Sequence, residues 1–384
     1  MKRLLYVTAD PGVPVLGHKG ASVHVRELAT ALSHLGVEVA IASPRIEPAG
    51  DSVDASVELL PLPVAAPNSS ELELRAAMEA QRAALLDLAR AFGAEAIYER
   101  YALFSKAGVE AAAALQVPHV LEVNAPLRAE AQRFRTLPHP ALAAETERAV
   151  HRGTRRVFAV STALKRWLVA EGVGGDRIEV VPNAVTPERF GPCRRRGNGP
   201  FVVGFCGSLK AWHGIEVLVE ACARAFAEQP SLRLEVVGNG PLEHLLRDHR
   251  LPPSRLVIHG ALPHADVIER LRRWDAGVAP YLPLDDFYFS PLKVLEYMAA
   301  GLCPVVSALG DIPALLGEGS RGVLVPAGDA DGLATALVEL ARDRELAAEL
   351  GRRAREHVLE AHTWDRNARV VLDALRAQAG ELAA

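Results

Sequence analysis

The chain opens with RLLYVT at residues 3–8, ASVHVRELATALSHLG at 21–36 and VEVAIAS at 37–43. The first and third segments are short, continuous apolar runs, which are typical of parallel strands buried on both faces. The middle segment repeats its apolar residues at helical spacing and ends at Gly36, which predicts a helix. Because a strand, a helix and a second parallel strand form a right-handed unit, this opening predicts a doubly wound α/β domain.

The alternation of strands and helices continues to about residue 161 and then restarts. Further strands are predicted at AIYER (96–100), HVLEVN (119–124) and RVFAVS (156–161), with a helix at about 71–92. After a stretch rich in Gly, Pro and Arg, FVVGFCGS (201–208) begins a second series. The restart predicts two doubly wound α/β domains. We place them at 1–188 and 201–362, with a linker at 189–200 and a C-terminal helix at 363–384 that packs back towards the N-terminal domain.

Composition limits the function classes. A length of 384 residues suits two domains or one large one, and a net charge of −4 offers no general attraction to nucleic acid or anionic membranes. The four cysteines lack metal-ligand spacing and favour a reducing compartment. The N-terminal MKRLLYVTADPG predicts a strand and turn rather than a signal peptide, and no run of 18 apolar residues occurs. We therefore expect a cytoplasmic protein with no transmembrane segment and no metal site.

The stretch DFYFSPLKVLEYMAAG, residues 286–301, predicts a helix with a sharp start. Ser290 is a favoured N-cap residue, and Pro291 suits the first helical position, where its missing N–H costs nothing. Gly301 suits the left-handed stop after Ala300. The sequence therefore predicts a helix over 291–300.

This helix carries Lys293 and Glu296 three residues apart, on one face. One interpretation is a surface ion pair. However, a lysine at a helix N-terminus opposes the helix dipole unless an anion is also present. The first-turn N–H groups at Leu292 and Lys293 form a natural phosphate site, and Glu296 could then accept hydrogen bonds from sugar hydroxyls. A nucleotide presents both phosphate and a ribose diol.

A diphosphate carries two charges, so a second anion site is expected opposite this helix. FVVGFCGSLKAWHG (201–214) is a buried strand that breaks at Gly207 and Ser208 and leads to Lys210 and His213. Gly207 permits close backbone approach, and Lys210 can reach a phosphate as a point charge. The loop VVGNGP (236–241) offers Gly238 and Asn239 as further candidates, although an ordinary turn would also explain its glycines.

The N-terminal half offers a separate set of candidates. The loop and helix start GVPVLGHKGASVH (12–24) contains Gly17, Gly20 and His24, and it is longer than most strand-to-helix loops. Arg100 and Asn124 lie at the ends of predicted strands, where parallel sheets bind ligands. Each could bind an acceptor or could simply be structural.

Taken together, the chain resembles the GT-B glycosyltransferases of family 4. The segments that carry the resemblance are YFSPLKVLEYMAAGLCPVV (288–306), VVPNAVTPERF (180–190), GFCGSLKAWHGIEVLVEA (204–221) and the Gly-rich loop before HVRELATAL (24–32). The resemblance implies two Rossmann-like domains facing each other across a cleft. It also implies transfer of a sugar from a nucleotide diphosphate sugar to a hydroxyl acceptor, with retention at the anomeric carbon and without metal or cofactor.

The resemblance also implies residue roles. The chain has the FSPLK-x-x-E variant of the Glu-x7-Glu motif: Tyr288 stands where its first Glu would fall, so a carboxylate role there is absent or moves to Asp285 or Asp286. Ser208 and His213 stand where many relatives carry Arg and Lys, which leaves Lys210 and Lys293 as the compensating charges. The implied catalytic set is Lys210, Lys293, Glu296 and Asp286. The implied donor set adds Gly207, Ser208, His213, Gly238, Asn239, Ser290, Pro291 and Leu292. The implied acceptor set is Gly17, Gly20, His24, Arg100 and Asn124.

Two alternatives remain open within this fold, a nucleotide-sugar epimerase and a non-catalytic sugar-nucleotide-binding partner. An NAD-dependent oxidoreductase is disfavoured because no G-x-G-x-x-G follows the first strand of either half. The acceptor could be a sugar, a lipid-linked sugar or a natural-product aglycone. We expect no nucleic-acid partner.

Overall fold

The computed structural model describes residues 1–46, 52–65, 68–134, 136–191, 199–247, 250–284 and 287–383. By their contacts, the residues divide into two compact units, Met1–Pro182 with Trp364–Ala384, and Asn183–Thr363. We call them the first and second units. Most of the predicted linker at 189–200 lies outside the described ranges.

The first unit is built on one parallel sheet of seven strands in the order β3-β2-β1-β4-β5-β6-β7. The strands are β1 (Arg3–Thr8), β2 (Glu38–Ser43), β3 (Val57–Pro61), β4 (Ala96–Arg100), β5 (His119–Val123), β6 (Arg156–Ala159) and β7 (Ile178–Val180). The helices are α1 (Gly20–His34), α2 (Glu71–Phe92), α3 (Ala107–Leu115), α4 (Leu127–Phe134), α5 (Pro140–Gly153), α6 (Thr162–Ala170) and α13 (Trp364–Ala383).

The central strand of this sheet shows why the apolar runs form strands. Leu4, Leu5, Tyr6 and Val7 of β1 are fully buried, as expected for a strand covered by helices on both faces. Strands β2 and β4 flank β1 in parallel, so the chain order reverses beside β1. Such a switch point opens a crevice at the carboxyl ends of the strands.

The C-terminal helix α13 completes the first unit. The Trp364 ring packs edge-on against His24, with ring centroids 4.7 Å apart. The Asn367 side chain donates to the carbonyl of Pro182 at 2.8 Å. Through these contacts a helix from the end of the chain packs beside α1, next to one of the predicted site residues.

The second unit contains a parallel sheet of six strands in the order β10-β9-β8-β11-β12-β13. The strands are β8 (Phe201–Cys206), β9 (Leu232–Val237), β10 (Leu256–Gly260), β11 (Ala276–Ala279), β12 (Cys303–Ser307) and β13 (Val323–Val325). The helices are α7 (Ile215–Glu228), α8 (His264–Leu271), α9 (Leu292–Ala299), α10 (Ile312–Leu315), α11 (Ala330–Arg342) and α12 (Arg344–Ala361). Its chain order reverses between β8 and β11.

Both faces of the second sheet carry a hydrophobic core. Phe201, Val203 and Phe205 of β8 belong to one core cluster, and Val202 belongs to another, because successive side chains of a strand point to opposite faces. The two doubly wound parallel sheets predicted from the alternating pattern are confirmed.

Candidate functional site

The predicted donor residues of the second unit gather at the switch point between β8 and β11. Loop 207–214 leaves β8 on one side, and the described residues 280–284 and 287–291 follow β11 on the other. The loops touch at Gly214, where an added Cβ would lie 1.7 Å from the carbonyl oxygen of Pro280. We call the region around these two loops the second-unit crevice, because it lies at the switch point, where α/β sheets bind ligands.

Tyr297 of α9 bridges the two diverging strands. The β8–β11 ladder pairs Ala276 with Val203 and Gly277 with Gly204. One step further along, the Tyr297 hydroxyl accepts from the N–H of Cys206 at 2.9 Å and donates to the carbonyl of Val278 at 3.3 Å. The phenol therefore provides hydrogen-bond partners for two backbone groups at the point where the strands separate.

One wall of the crevice consists of two stacked backbone loops. The N–H of Gly207 donates to Val237 and that of Leu209 donates to Asn239, both at 2.9 Å. Gly238 has φ of +128°, and a Cβ there would lie 2.0 Å from the carbonyl oxygen of Gly207. The glycines of VVGNGP therefore do more than form a turn: they bring residues 238–240 against the loop at 207–209.

Lys293 lies in the crevice against this loop. Its Nζ is buried and has no hydrogen-bond partner among the described residues. It lies 4.4 Å from the centroid of the Phe205 ring and 5.5 Å from that of Tyr281. A Cβ on Gly207 would lie 2.7 Å from the amine, so the missing side chain of Gly207 provides its space. Burial lowers the pKa of Lys293 to about 8.

This arrangement excludes a surface ion pair between Lys293 and Glu296, because the amine points into the crevice and bonds no carboxylate among the described residues. A buried cation without a counter-ion is costly. The π faces of the two rings offset part of that cost. An anionic ligand would offset more of it.

His213, by contrast, brings no positive charge to the crevice. Its Nδ1 donates to the carbonyl of Ser208 at 2.5 Å, and burial, together with the charges of Lys293 and Lys210, lowers its pKa to about 3. The ring is therefore neutral at ordinary pH. Lys210 extends over the Trp212 ring, with Nζ 4.7 Å from the centroid.

The start of α9 differs from the sequence prediction. The helix begins at Leu292 with Pro291 as its N-cap residue, and no side chain caps it. The predictions that Ser290 is the cap and Pro291 the first helical residue are wrong. The Ser290 hydroxyl instead accepts from the N–H of Asn183 at 2.9 Å, and its carbonyl accepts from the Asn183 side chain at 2.5 Å. These bonds engage Ser290 elsewhere, and the first N–H groups of an α-helix have no partner within it.

Glu296 lies one turn further along α9 and is 8% exposed. Its Oε1 lies 2.7 Å from Nε2 of His264, the first residue of α8. Sequence reasoning missed both His264 and Asn183. The PNAV segment signalled Asn183 as part of a motif, whereas nothing in the sequence distinguished His264 from an ordinary first-turn residue.

In the first unit, three predicted acceptor-side residues meet at Glu122, which sequence reasoning did not single out. Nε2 of His24 lies 2.6 Å from one carboxylate oxygen, and Arg100 lies 3.5 Å from the other. Burial acts to raise the pKa of Glu122, but His24, Arg100 and a hydrogen bond from Asn124 outweigh it and hold the pKa at about 2. His24 and Glu122 are only 3% and 4% exposed. The cluster is therefore a buried polar network next to the carboxyl end of β5.

The long loop before α1 is held by Arg26. This buried guanidinium donates to the carbonyls of Val15 at 2.6 Å and Gly17 at 2.7 Å. Gly20 is the first helical residue of α1, after Lys19 at the N-cap. The loop is thus an ordered element at the switch point of the first sheet.

The remaining predictions have separate outcomes. Asp285 and Asp286 lie outside the described residues, and Tyr288 stacks near Phe289 with ring centroids 4.4 Å apart. Within the described ranges, no group of three or more His, Cys, Asp or Glu side chains is arranged to hold a metal ion. None of the described helices has the length and apolar character that a bilayer span requires.

Comparison with known families and proteins gives matches in both units. Residues 18–189 match the model of Glycosyltransferase Family 4, and residues 200–343 match that of Glycosyl transferases group 1. A D-inositol 3-phosphate glycosyltransferase of Paenarthrobacter aurescens is 28% identical, with 96% of this chain and 94% of the relative covered. A phosphatidyl-myo-inositol mannosyltransferase of Mycolicibacterium smegmatis is 30% identical over 214 residues. This match covers 54% of the present chain and 53%, about half, of the relative's length.

Solved structures match nearly the whole chain. A sucrose-phosphate synthase of Thermosynechococcus elongatus has a TM-score of 0.77 at 20% identity, covering 99% of this chain and 100% of that one. The HepE protein of Anabaena, solved with UDP and glucose, has a TM-score of 0.75 at 15% identity, covering 98% and 100%. The two parallel α/β units therefore define a GT-B fold. With the family matches in both units, the chain is a glycosyltransferase.

Proposed function

We propose that this glycosyltransferase takes a sugar from a nucleotide diphosphate sugar bound in the second-unit crevice and transfers it to a hydroxyl acceptor. The observation that carries the proposal is the buried Lys293 amine, which lacks a partner among the described residues and faces a glycine loop. The first turn of α9 adds N–H groups that favour an anion. Lys210 would add a second positive charge from the opposite loop.

The same groups would assist departure of the nucleotide diphosphate. As the bond from the anomeric carbon to the phosphate oxygen breaks, negative charge develops on that oxygen, and preorganised cations and N–H groups stabilise it. Lys210 and Lys293 could perform this neutralisation without a metal ion. Glu296 would accept hydrogen bonds from the ribose hydroxyls.

We further propose that the anomeric configuration is retained by attack on the same face from which the diphosphate leaves. The acceptor oxygen bonds to the anomeric carbon, and its proton passes to the departing phosphate oxygen. A covalent glycosyl-enzyme, if trapped and identified by mass spectrometry, would contradict this route.

The acceptor is proposed to bind to the first unit, near the Arg26-held loop and the strand end at Asn124. Two relatives are named for inositol-containing compounds, so D-inositol 3-phosphate and myo-inositol are the first acceptors to test. The proposal requires sugar transfer, whereas an epimerase would convert the donor without any acceptor and a non-catalytic partner would leave it unchanged.

Titration calorimetry with UDP, GDP, dTDP and ADP, without added metal, tests the donor site. We expect one of these nucleotides to bind, and Glu296→Ala to weaken it roughly tenfold or more, because hydrogen bonds to a charged group contribute about 1.5–3 kcal/mol. The control is Glu269→Ala, an exposed carboxylate of the same unit that pairs with Arg272. If wild type binds none of the four, or the Glu296 variant binds as well as wild type, the donor-site assignment fails.

A further inference from the structure

The contact between His264 and Glu296 joins two elements that are separated in the sequence. Nε2 of His264 and Oε1 of Glu296 are 2.7 Å apart, and both side chains are 11% exposed. His264 begins α8, shortly after β10 ends at Gly260. The carbonyl of Gly260 in turn accepts from the N–H of Gly238. The segment that leads into His264 is therefore hydrogen-bonded at Gly260 to the glycine loop at 238–240.

The contact engages one oxygen of the carboxylate. A carboxylate can accept about four hydrogen bonds through its two oxygens. Among the described residues, the hydrogen bond that Glu296 receives from a side chain comes from His264, at Oε1. Oε2 can still accept from a ligand, and a rotation of the carboxylate would break the bond to His264.

A second His–Glu pair in the same unit shows a different arrangement. Oε2 of Glu235 lies 3.0 Å from Nε2 of His259 and accepts from the indole N–H of Trp274 at 3.1 Å. Glu235 lies inside strand β9 rather than at its carboxyl end. That pair therefore cross-links neighbouring strands and a core tryptophan, which makes it a matched internal control.

We propose that His264 is a positioning residue for the nucleotide ribose: it fixes the Glu296 carboxylate so that the other oxygen receives the ribose hydroxyls. This inference rests on the proposed donor site. Glu296 follows Lys293 by about one turn on the same helix face, so a ribose would reach the carboxylate while its phosphates reach the amine. Fixing the carboxylate beforehand removes an ordering cost that binding would otherwise carry.

The test measures discrimination between ribose and deoxyribose instead of affinity alone. UDP, 5-methyl-UDP, GDP and ADP are titrated alongside their 2′-deoxy counterparts, which include dTDP, into wild type, Glu296→Ala, His264→Ala, His264→Gln and the control His259→Ala. We expect wild type to prefer the ribonucleotide roughly tenfold, since one hydrogen bond to a charged group is at stake. Glu296→Ala and His264→Ala should lose most of that preference, and His264→Gln should restore part of it because its amide can donate in place of Nε2.

The outcomes separate the two ideas. If His264→Ala and His264→Gln both keep the full preference while Glu296→Ala loses it, the pair is structural and the inference is overturned, whereas the donor site stands. If wild type binds none of these nucleotides, or Glu296→Ala keeps the preference, the donor-site assignment fails and the inference fails with it. If His264→Ala does not fold, His264→Gln alone decides. The inference requires the ribonucleotide preference of His264→Gln to lie between those of wild type and Glu296→Ala.

Discussion

Replacing Lys293 with methionine should make the protein more stable while weakening its nucleotide site. Burial lowers the pKa of this lysine from 10.5 to about 8. Each pKa unit corresponds to about 1.36 kcal/mol, so keeping the ammonium charged in the crevice costs about 3 kcal/mol at neutral pH. Methionine keeps an unbranched apolar chain over the Phe205 ring and carries no charge. We therefore expect the free energy of unfolding to rise by up to about 3 kcal/mol in Lys293→Met.

The pH dependence identifies the cause of this gain. Below pH 8 the lysine is charged in both the folded and the unfolded chain, and the cost is fully present. Between about pH 8 and 10.5 the folded protein releases the proton first, so wild type regains stability relative to the variant. The difference should be largest at pH 7 and much smaller at pH 10.

Urea unfolding of wild type and Lys293→Met at these two pH values measures the difference. Lys106→Met is the control, because Lys106 is 33% exposed and pairs with Glu110 on the surface. Calorimetry with the nucleotide selected by the donor panel should show weaker binding in Lys293→Met by roughly tenfold or more. Burial of a charge is not the cause if the variant is less stable than wild type at pH 7. The same holds if the difference in unfolding free energy between the two proteins is equal at pH 7 and pH 10. If the nucleotide affinity of Lys293→Met equals that of wild type, the assignment of Lys293 to the donor site is wrong.

Three further changes test the geometry of the two units. Tyr297→Phe removes the hydroxyl between β8 and β11 and should lower the unfolding free energy by about 1–3 kcal/mol, measured by urea unfolding. Gly238→Ala forces a Cβ to within 2.0 Å of the Gly207 carbonyl oxygen, so calorimetry should show that nucleotide binding is lost. In the control Gly199→Ala, the new Cβ has no atom within 4 Å, and nucleotide binding should equal that of wild type. Glu122, with its pKa of about 2, stabilises the folded state above its ordinary pKa of 4.5 and loses this contribution as pH falls towards 2. In Glu122→Gln, stability should therefore depend less on pH in the acid range, as measured by circular dichroism during acid unfolding. Acid unfolding identical to that of wild type would contradict this role.

The fold follows from local sequence patterns, whereas part of the site does not. Apolar strands, helical stripes and glycine stops are local signals, and they predicted both parallel sheets and the loops at Gly207 and Gly238. The contacts that shape the crevice join distant residues. Tyr297 reaches Cys206 across 91 positions, and Ser290 reaches Asn183 across 107.

The N-cap error at Ser290 shows how a distant contact can override a local preference. Serine before proline is a strong local signal for a cap. In the folded chain, however, the hydroxyl accepts from the Asn183 backbone instead. A partly buried polar group such as this hydroxyl takes the partner that tertiary packing provides, and no spacing rule within the helix contains that information.

The buried charge of Lys293 is consistent with the few charged residues in the loop that faces it. Loop 207–214 carries the uncharged Ser208 and a histidine whose pKa of about 3 keeps it neutral, so this loop contributes little charge beyond Lys210. The buried charge comes from α9, across the crevice, and it can stand there because Gly207 has no side chain and aromatic faces lie beneath the amine. An alanine at Gly207 would displace the amine, and a charged His213 would repel it. Glycine, neutral histidine and buried lysine are therefore one electrostatic arrangement, in which changing any member alone should weaken anion binding.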